Sequence, residues 1–214
     1  MTATQGNCYI CGATLGKVAL KNHILKMHND PAGEQECRLL KIEGANKNFW
    51  LLVDIPADET LAEVDAFLRD IWLECCGHMS AFTTPKSWDE IPMERELGQL
   101  PVGSVLEHKY DFGSTTHCLL TVLAVIRRPK QSEDVRLLAR NVPPQHTCAA
   151  CGKPADLLCN DCWYDSDDAF YCDACAEDHE HDYMITVANS PRMGVCGYDG
   201  DKDDYVFDPA KVQA

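Results

Sequence analysis

The sequence predicts an α+β fold, and three observations predict it. Runs rich in β-branched and aromatic residues come in hairpin-spaced pairs at 37–55 and 105–126. Between them, residues 60–75 carry one apolar stripe at helical period. Close pairs of cysteine and histidine crowd both ends of the chain, where too few apolar residues stand to build a core. The expected architecture is a central mixed sheet with one packed helix, held between two small cysteine- and histidine-rich ends.

In chain order, the first such group is Cys8-x2-Cys11-x11-His23-x4-His28. Two thiols on a tight turn and two imidazoles on a following helix form the donor set of a closed tetrahedral Zn²⁺ site. The spacing predicts a knuckle hairpin and then a helix over 17–27, with Leu15 and Leu20 in a small core. His23 and His28 are i and i+5, slightly wide of one helical face, which the last turn absorbs by tightening or loosening. Residues 1–30 therefore read as a ββα zinc finger. The positions that would read bases fall on Gly16, Ala19 and Asn22, and of these only Asn22 suits a base edge. Lys17, Lys21 and Lys26 offer phosphate contacts, but a single finger makes too small an interface for specific affinity.

The turn at Asn29-Asp30-Pro31-Ala32-Gly33 opens the central domain, 36–130. Strands are expected at 37–43 and 48–55 around Gly44-Ala45-Asn46, with Trp50, Leu52 and Val53 feeding a core. In the helix, Thr60 and Glu63 predict a capping box, while Leu61, Val64, Leu68, Ile71 and Trp72 form the buried stripe. Gly77 ends it. A short strand at 79–83, a surface connection over 84–101, and strands at 105–112 and 116–126 complete the domain. Cys75, Cys76 and His78, together with His117 and Cys118, raise the question of nucleophilic catalysis. That requires an electropositive, accessible setting and an oriented base; spacing supplies neither, so the thiols read as buried at a helix end. Asp111 reads as a turn former. Arg127-Arg128-Pro129-Lys130 reads as a solvated strand exit, and 131–145, with Val142-Pro143-Pro144, as a stiff linker.

Phe49-Trp50-Leu51 through Ile55-Pro56-Ala57-Asp58, Thr60-Leu61-Ala62-Glu63-Val64, Ile71-Trp72-Leu73-Glu74-Cys75-Cys76-Gly77-His78-Met79 and Tyr110-Asp111-Phe112-Gly113 carry a resemblance. In their order, these motifs over 37–130 resemble the Ri-plasmid open-reading-frame-3-like family, which also travels as a passenger in insertion elements. The resemblance extends to a subset with zinc-type cysteines at both ends. It implies an α+β domain of prokaryotic origin and no particular chemistry. Where many relatives place a second histidine, this chain has His78-Met79-Ser80-Ala81-Phe82.

The end of the chain, 146–214, holds Cys148-x2-Cys151, Cys159-x2-Cys162, Cys172-x2-Cys175, His179 and His181, enough for two tetrahedral zinc sites. Two pairings are physically sensible. In a cross-brace, Cys148, Cys151, Cys172 and Cys175 hold one ion, and Cys159, Cys162, His179 and His181 the other. In a sequential arrangement the first four cysteines form one site. The cross-brace is favoured because interleaving ties together a stretch with little else to pack, and its spacing resembles the B-box class of interaction modules. If 179–181 is extended, both histidines reach one ion. If it is helical they face apart, and Cys196 is the natural substitute. Otherwise Cys196 is a buried thiol in a turn-rich segment docked on the core. Asp199, Asp201 and Asp203 alternate as in a calcium loop, but Asp204 and Ala210 stand where glycine and glutamate belong, so a solvated acidic tail is expected.

Net charge is −15 over 214 residues, divided as +2 over 1–30, −6 over 31–145 and −11 over 146–214. An acidic end is a poor nucleic-acid surface, because phosphate binding needs Lys and Arg to release counterions. Only 1–30 could approach a phosphate backbone. No segment offers a membrane-spanning apolar run and the start lacks a secretory pattern, so a cytoplasmic protein is expected. There, thirteen cysteines argue for metal ligation rather than disulfides, and the odd total leaves at least one unpaired. Twelve ligands for three zinc ions leave no vacancy, which favours a non-enzymatic adaptor with a protein partner over one with a small-molecule substrate. The first alternative is a nucleic-acid-associated factor acting through 1–30. The second is a metal-dependent enzyme, which would require an open zinc position.

Overall fold

A computed structural model describes residues 4–130, 134–166, 168–200 and 203–212. The chain opens with a hairpin, β1 (Gln5–Cys8) and β2 (Thr14–Gly16), and a helix, α1 (Lys17–Met27). The central elements are β3 (Gln35–Gly44), β4 (Trp50–Pro56), α2 (Leu61–Leu68), β5 (Ser80–Thr83), β6 (Glu90–Ile91), β7 (Val105–Tyr110), β8 (Thr116–Arg128) and β9 (Arg136–Asn141). These nine strands join in one sheet, ordered β2-β1-β9-β4-β3-β8-β7-β5-β6. Every pairing in it is antiparallel, not mixed: hairpins or short returns join β1 to β2, β3 to β4, β5 to β6 and β7 to β8, while β3–β8, β4–β9 and β1–β9 pair strands far apart in the chain.

The middle strands are buried on both faces, which explains their nearly unbroken apolar runs. Leu40, Ile42, Leu51, Val53 and Ile55 face α2, whose Leu61, Val64, Phe67 and Leu68 complete that core. Leu39, Trp50 and Leu52 point the other way and meet Leu20 and Ile24 of α1. Trp50 and Val53 thus serve opposite cores, as alternate faces require. A bulge in β8 opposite Leu39/Leu40 switches its pattern: Leu120 and Val122 serve the α2 side, Ile126 the α1 side. The first thirty residues are therefore not a separate bead, since their helix covers one face of the central sheet and β1 pairs with β9.

Thr60 caps α2 without the side-chain bonds of a capping box. The backbone N–H groups of Leu61 and Ala62 donate instead to the carbonyls of Arg95 (3.0 Å) and Met93 (2.9 Å), so the surface connection does the capping. Beyond Leu68 the helix widens into one π turn, Arg69–Leu73, which buries three consecutive residues, Ile71, Trp72 and Leu73.

Three further expectations are corrected. The span read as a linker carries β9, because Leu137, Leu138 and Ala139 have apolar neighbours to cover; its start, 131–133, lies outside the described residues. Arg128 is not a solvated strand exit: it is 1% exposed and ion-pairs with buried Asp54 at 2.9 Å. The acidic tail is docked rather than solvated. Tyr205 packs on Phe67 and donates to Asp70 Oδ2, while Phe207 stacks edgewise on Tyr9. Asp201 and Lys202 of that tail lie outside the described residues.

The remaining elements are a small hairpin, β10 (His146–Thr147) and β11 (Pro154–Ala155), and a three-stranded sheet of β12 (Leu157–Cys159), β13 (Phe170–Tyr171) and β14 (Met184–Thr186) with β12 central. Two one-turn helices, α3 (Asn160–Trp163) and α4 (Asp173–Ala176), accompany them. Among the described residues the apolar cluster of this end has only six buried members, including Leu158, Ile185 and Met193. Among the described residues no helix is long and apolar enough to cross a membrane.

Candidate metal centres

Cys-x2-Cys-Gly occurs twice, and both copies fold alike. In the first, Cys8 N–H donates to Ala13 O and Gly12 N–H to Cys8 O; in the second, Cys148 N–H donates to Lys153 O and Gly152 N–H to Cys148 O. Gly12 (φ +76°) and Gly152 (φ +72°) adopt the left-handed conformation that closes each turn, where a side chain would be strained. Each turn brings its two thiols to one side. The other two Cys-x2-Cys pairs start α3 and α4, with Cys159 and Cys172 at the caps.

These turns and helices gather the sequence-predicted ligands into three groups. Cys8, Cys11, His23 and His28 form one, Cys148, Cys151, Cys172 and Cys175 the second, and Cys159, Cys162, His179 and His181 the third. Within each group the four ligand atoms lie within 4.8 Å of one another. With Zn–S about 2.3 Å and Zn–N about 2.0–2.1 Å, a tetrahedral site has edges of roughly 3.3–3.8 Å. Cys8 Sγ is 3.5 Å from His28 Nε2, and Cys11 Sγ is 3.1 Å from His23 Nε2. Cys151 and Cys172 sulfurs are 3.7 Å apart. Cys162 Sγ is 3.3 Å from both His179 Nε2 and His181 Nδ1. The groups match a metal-sized hole, and the last two interleave along the chain. Residues 179–181 are neither helix nor strand, so both histidines reach the same point and Cys196 is not needed there.

The electrostatics of the four-thiol group favour a cation. Backbone N–H groups, led by that of Cys172, draw the Cys148 thiol down to about 6. Hydrogen bonds with the thiols of Cys151, Cys172 and Cys148 push Cys175 up to about 12. Without a cation the set cannot hold four thiolates at neutral pH; a bound dication removes that repulsion. In the first group, burial and neighbouring His23 hold the His28 imidazole below its ordinary value, which keeps it in the neutral form that ligates.

A fourth set of ligand atoms lies where no grouping was expected. Cys75, Cys76, His78 and Cys196 also place one donor atom each within 4.8 Å of the others. Cys76 and Cys196 are exposed, so the reading of Cys75 and Cys76 as buried thiols, and of Cys196 as either a buried thiol or the substitute for His181, is corrected. The sequence holds three of these ligands within four residues, but nothing in it points to the fourth, 118 positions beyond His78. His117 and Cys118 do not join them. His117 Nδ1 lies 2.9 Å from Glu107, and Cys118 is fully buried with its thiol pushed up to about 12 by burial.

No protein-family model matches the chain, and no curated protein matches it. The crystal structure of a protein of unknown function from Methanosarcina mazei Go1 is similar over 49% of this chain and 67% of that one, at 13% identity and a TM-score of 0.40.

Charged networks brace the fourth set. Arg192, fully buried, donates to Asp111 Oδ2 (2.8 Å) and Thr116 Oγ1 (3.0 Å), and its Nε lies 3.4 Å from Cys75 Sγ. Asp111, at φ +65°, also accepts from Gly113 N–H, so it makes the expected turn while anchoring Arg192. Arg69 donates to the His78 carbonyl (2.8 Å) and to Asp65, which also lies 2.6 Å from both Ser80 Oγ and His108 Nε2. Ser80 donates to Asp65 and not to His108, so these three residues do not make a nucleophile and its base.

Proposed function

We propose that this is a zinc-stabilised, non-enzymatic interaction protein whose three sequence-predicted metal sites are structural. One observation carries the reading: each of those groups offers four protein donors, so an ion bound there has no position left for water or substrate. Zinc suits the donors, since two thiols with two imidazoles, or four thiols, are its closed tetrahedral sets. The function then lies on the surface that the ions shape, a strongly acidic one over 146–214 with Tyr164 and Tyr183 exposed on it. The resemblance of 37–130 to the Ri-plasmid open-reading-frame-3-like family supports a mobile-element setting.

The nucleic-acid reading rests on α1. Lys17 is engaged by Glu43, which leaves Lys21, Lys26 and exposed Asn22 as that helix's candidates for phosphate or base contact. That is too few for more than weak attachment.

Elemental analysis of freshly purified full-length chain should return at least three zinc ions, one of them lost in Cys151→Ser/Cys172→Ser; fewer than two would contradict the ligand assignments. Proteins retained by the immobilised full chain from its native host should be lost with that double substitution. Salt-sensitive retention of nucleic acid, abolished by Lys21→Ala/Lys26→Ala, would favour the other reading.

A further inference from the structure

We propose that Cys75, Cys76, His78 and Cys196 form a fourth zinc site, a centre of three thiolates and one imidazole that staples the 189–198 segment to the end of the central helix.

The geometry fits an ion. Cys76 Sγ lies 3.6 Å from both Cys75 Sγ and Cys196 Sγ and 2.9 Å from His78 Nε2, and Cys196 Sγ lies 3.7 Å from that nitrogen. These separations resemble those in the other three groups, and four donors again leave no vacancy.

Both contributing segments are held in place by the fold. The π turn ends at Leu73, and Gly77, at φ +79°, reverses the chain so that Cys76 and His78 converge. From the other side, Ser190 donates to the Trp72 carbonyl at 2.6 Å, and Asn189 pairs with the Asn141 amide. Arg192, itself anchored by Asp111, lies 3.4 Å from Cys75 Sγ and fixes the Cys75 side.

Cys196 itself is the most telling residue. It sits at φ +56°, between Gly194 and Gly197, which also have positive φ. A glycine would make this turn without strain, so the cysteine here carries a conformational cost that a ligand role for its thiol would offset. Burial does not explain it either, because Cys196 and Cys76 are exposed. With this site assigned, eleven of the thirteen cysteines fall in four groups, and the two left, Cys37 and Cys118, are fully buried. Those two behave as small apolar residues.

Binding exchanges the thiol protons for the ion and changes no oxidation state. The competing chemistry is a Cys76–Cys196 disulfide. Native mass spectrometry of the freshly isolated full chain distinguishes them. The expected result is four zinc ions in the wild type and three in Cys196→Gly. Glycine suits the left-handed backbone, so loss of an ion there cannot be laid to a distorted turn. Cys76→Ser, on the opposite segment, should also hold three. Three ions in the wild type, unchanged in Cys196→Gly, would overturn the site. So would a disulfide joining Cys76 to Cys196 in a chain carrying three. Either result leaves the other three sites standing.

Discussion

Asp54 shows how charge is buried in this protein. It is fully buried, and it pairs with Arg128 at 2.9 Å and with Arg136, so the sheet accommodates an acid only because two guanidinium groups meet it. Removing the acid leaves the Arg128 charge buried without its carboxylate, although Gln35 still accepts from its Nε. Asp54→Ala should therefore cost about 3–5 kcal/mol, seen as a lower urea midpoint; an unchanged midpoint would contradict the pairing. Asp65 gives a pH-dependent counterpart. Burial pushes its carboxyl up, but hydrogen bonds from His108, Ser80 and Arg69 outweigh that and hold it at about 2. A depressed carboxyl stabilises the fold above its unfolded value and loses that contribution as pH falls through the folded one. Relative to Asp65→Asn, the wild type should lose about 2 kcal/mol between about pH 4 and pH 2. Urea titrations across that range check the sign, and a difference that grows on acidification would contradict it. At this scale the sequence was partly legible. Close ligand pairs announced themselves, because a chelating turn needs both donors within a few residues. Cys75, Cys76 and His78 were visible but had no visible purpose, since their fourth partner is distant in the chain. Arg128 looked solvated because a basic run gives no sign of its acid, which sits on another strand.

Among the elements, ligand spacing located α1, and periodicity located the β3–β4 and β7–β8 hairpins and the start of α2 to within a few residues. It missed the π turn, since an apolar stripe reads the same when one residue is added to a turn. It also missed β9. A strand whose partners are β1 and β4, more than eighty residues earlier, depends on those partners for its pairing and looks like a linker without them. The segment that follows β14 depends on tight backbone approach. At Gly194, φ is +76° and an added Cβ would come within 2.7 Å of Trp163 Nε1 and 2.9 Å of Leu158 Cδ2. Gly194→Ala should destabilise this end by more than about 1 kcal/mol, combining left-handed strain with a clash against a packed ring. Thermal unfolding followed by Trp fluorescence checks it, and a neutral effect would mean the segment is not docked as described.

As a whole, the molecule is one large antiparallel sheet with a helix on each face, and a cysteine- and histidine-rich end whose tail returns to the first strands. The α+β class was legible because the middle of the chain has enough apolar residues to declare its periods. The integration of the ends was not, because contacts such as Arg140 to the Asn189 carbonyl or Tyr9 to the Tyr205 carbonyl leave no local pattern. Stability should be uneven in consequence. A strong zinc chelator should raise amide exchange over 146–186 well before β3, β4 and β8, whose protection comes from apolar packing; uniform loss of protection would contradict that division.

Closure of the proposed zinc sites is what separates a structural role from a chemical one. X-ray absorption at the zinc edge of the fully loaded chain tests it most directly. The expected result is four-coordinate zinc bound by sulfur at about 2.3 Å and nitrogen at about 2.0–2.1 Å, with no oxygen ligand. An oxygen shell or a five-coordinate site would mean that at least one ion is open for chemistry, and would contradict it.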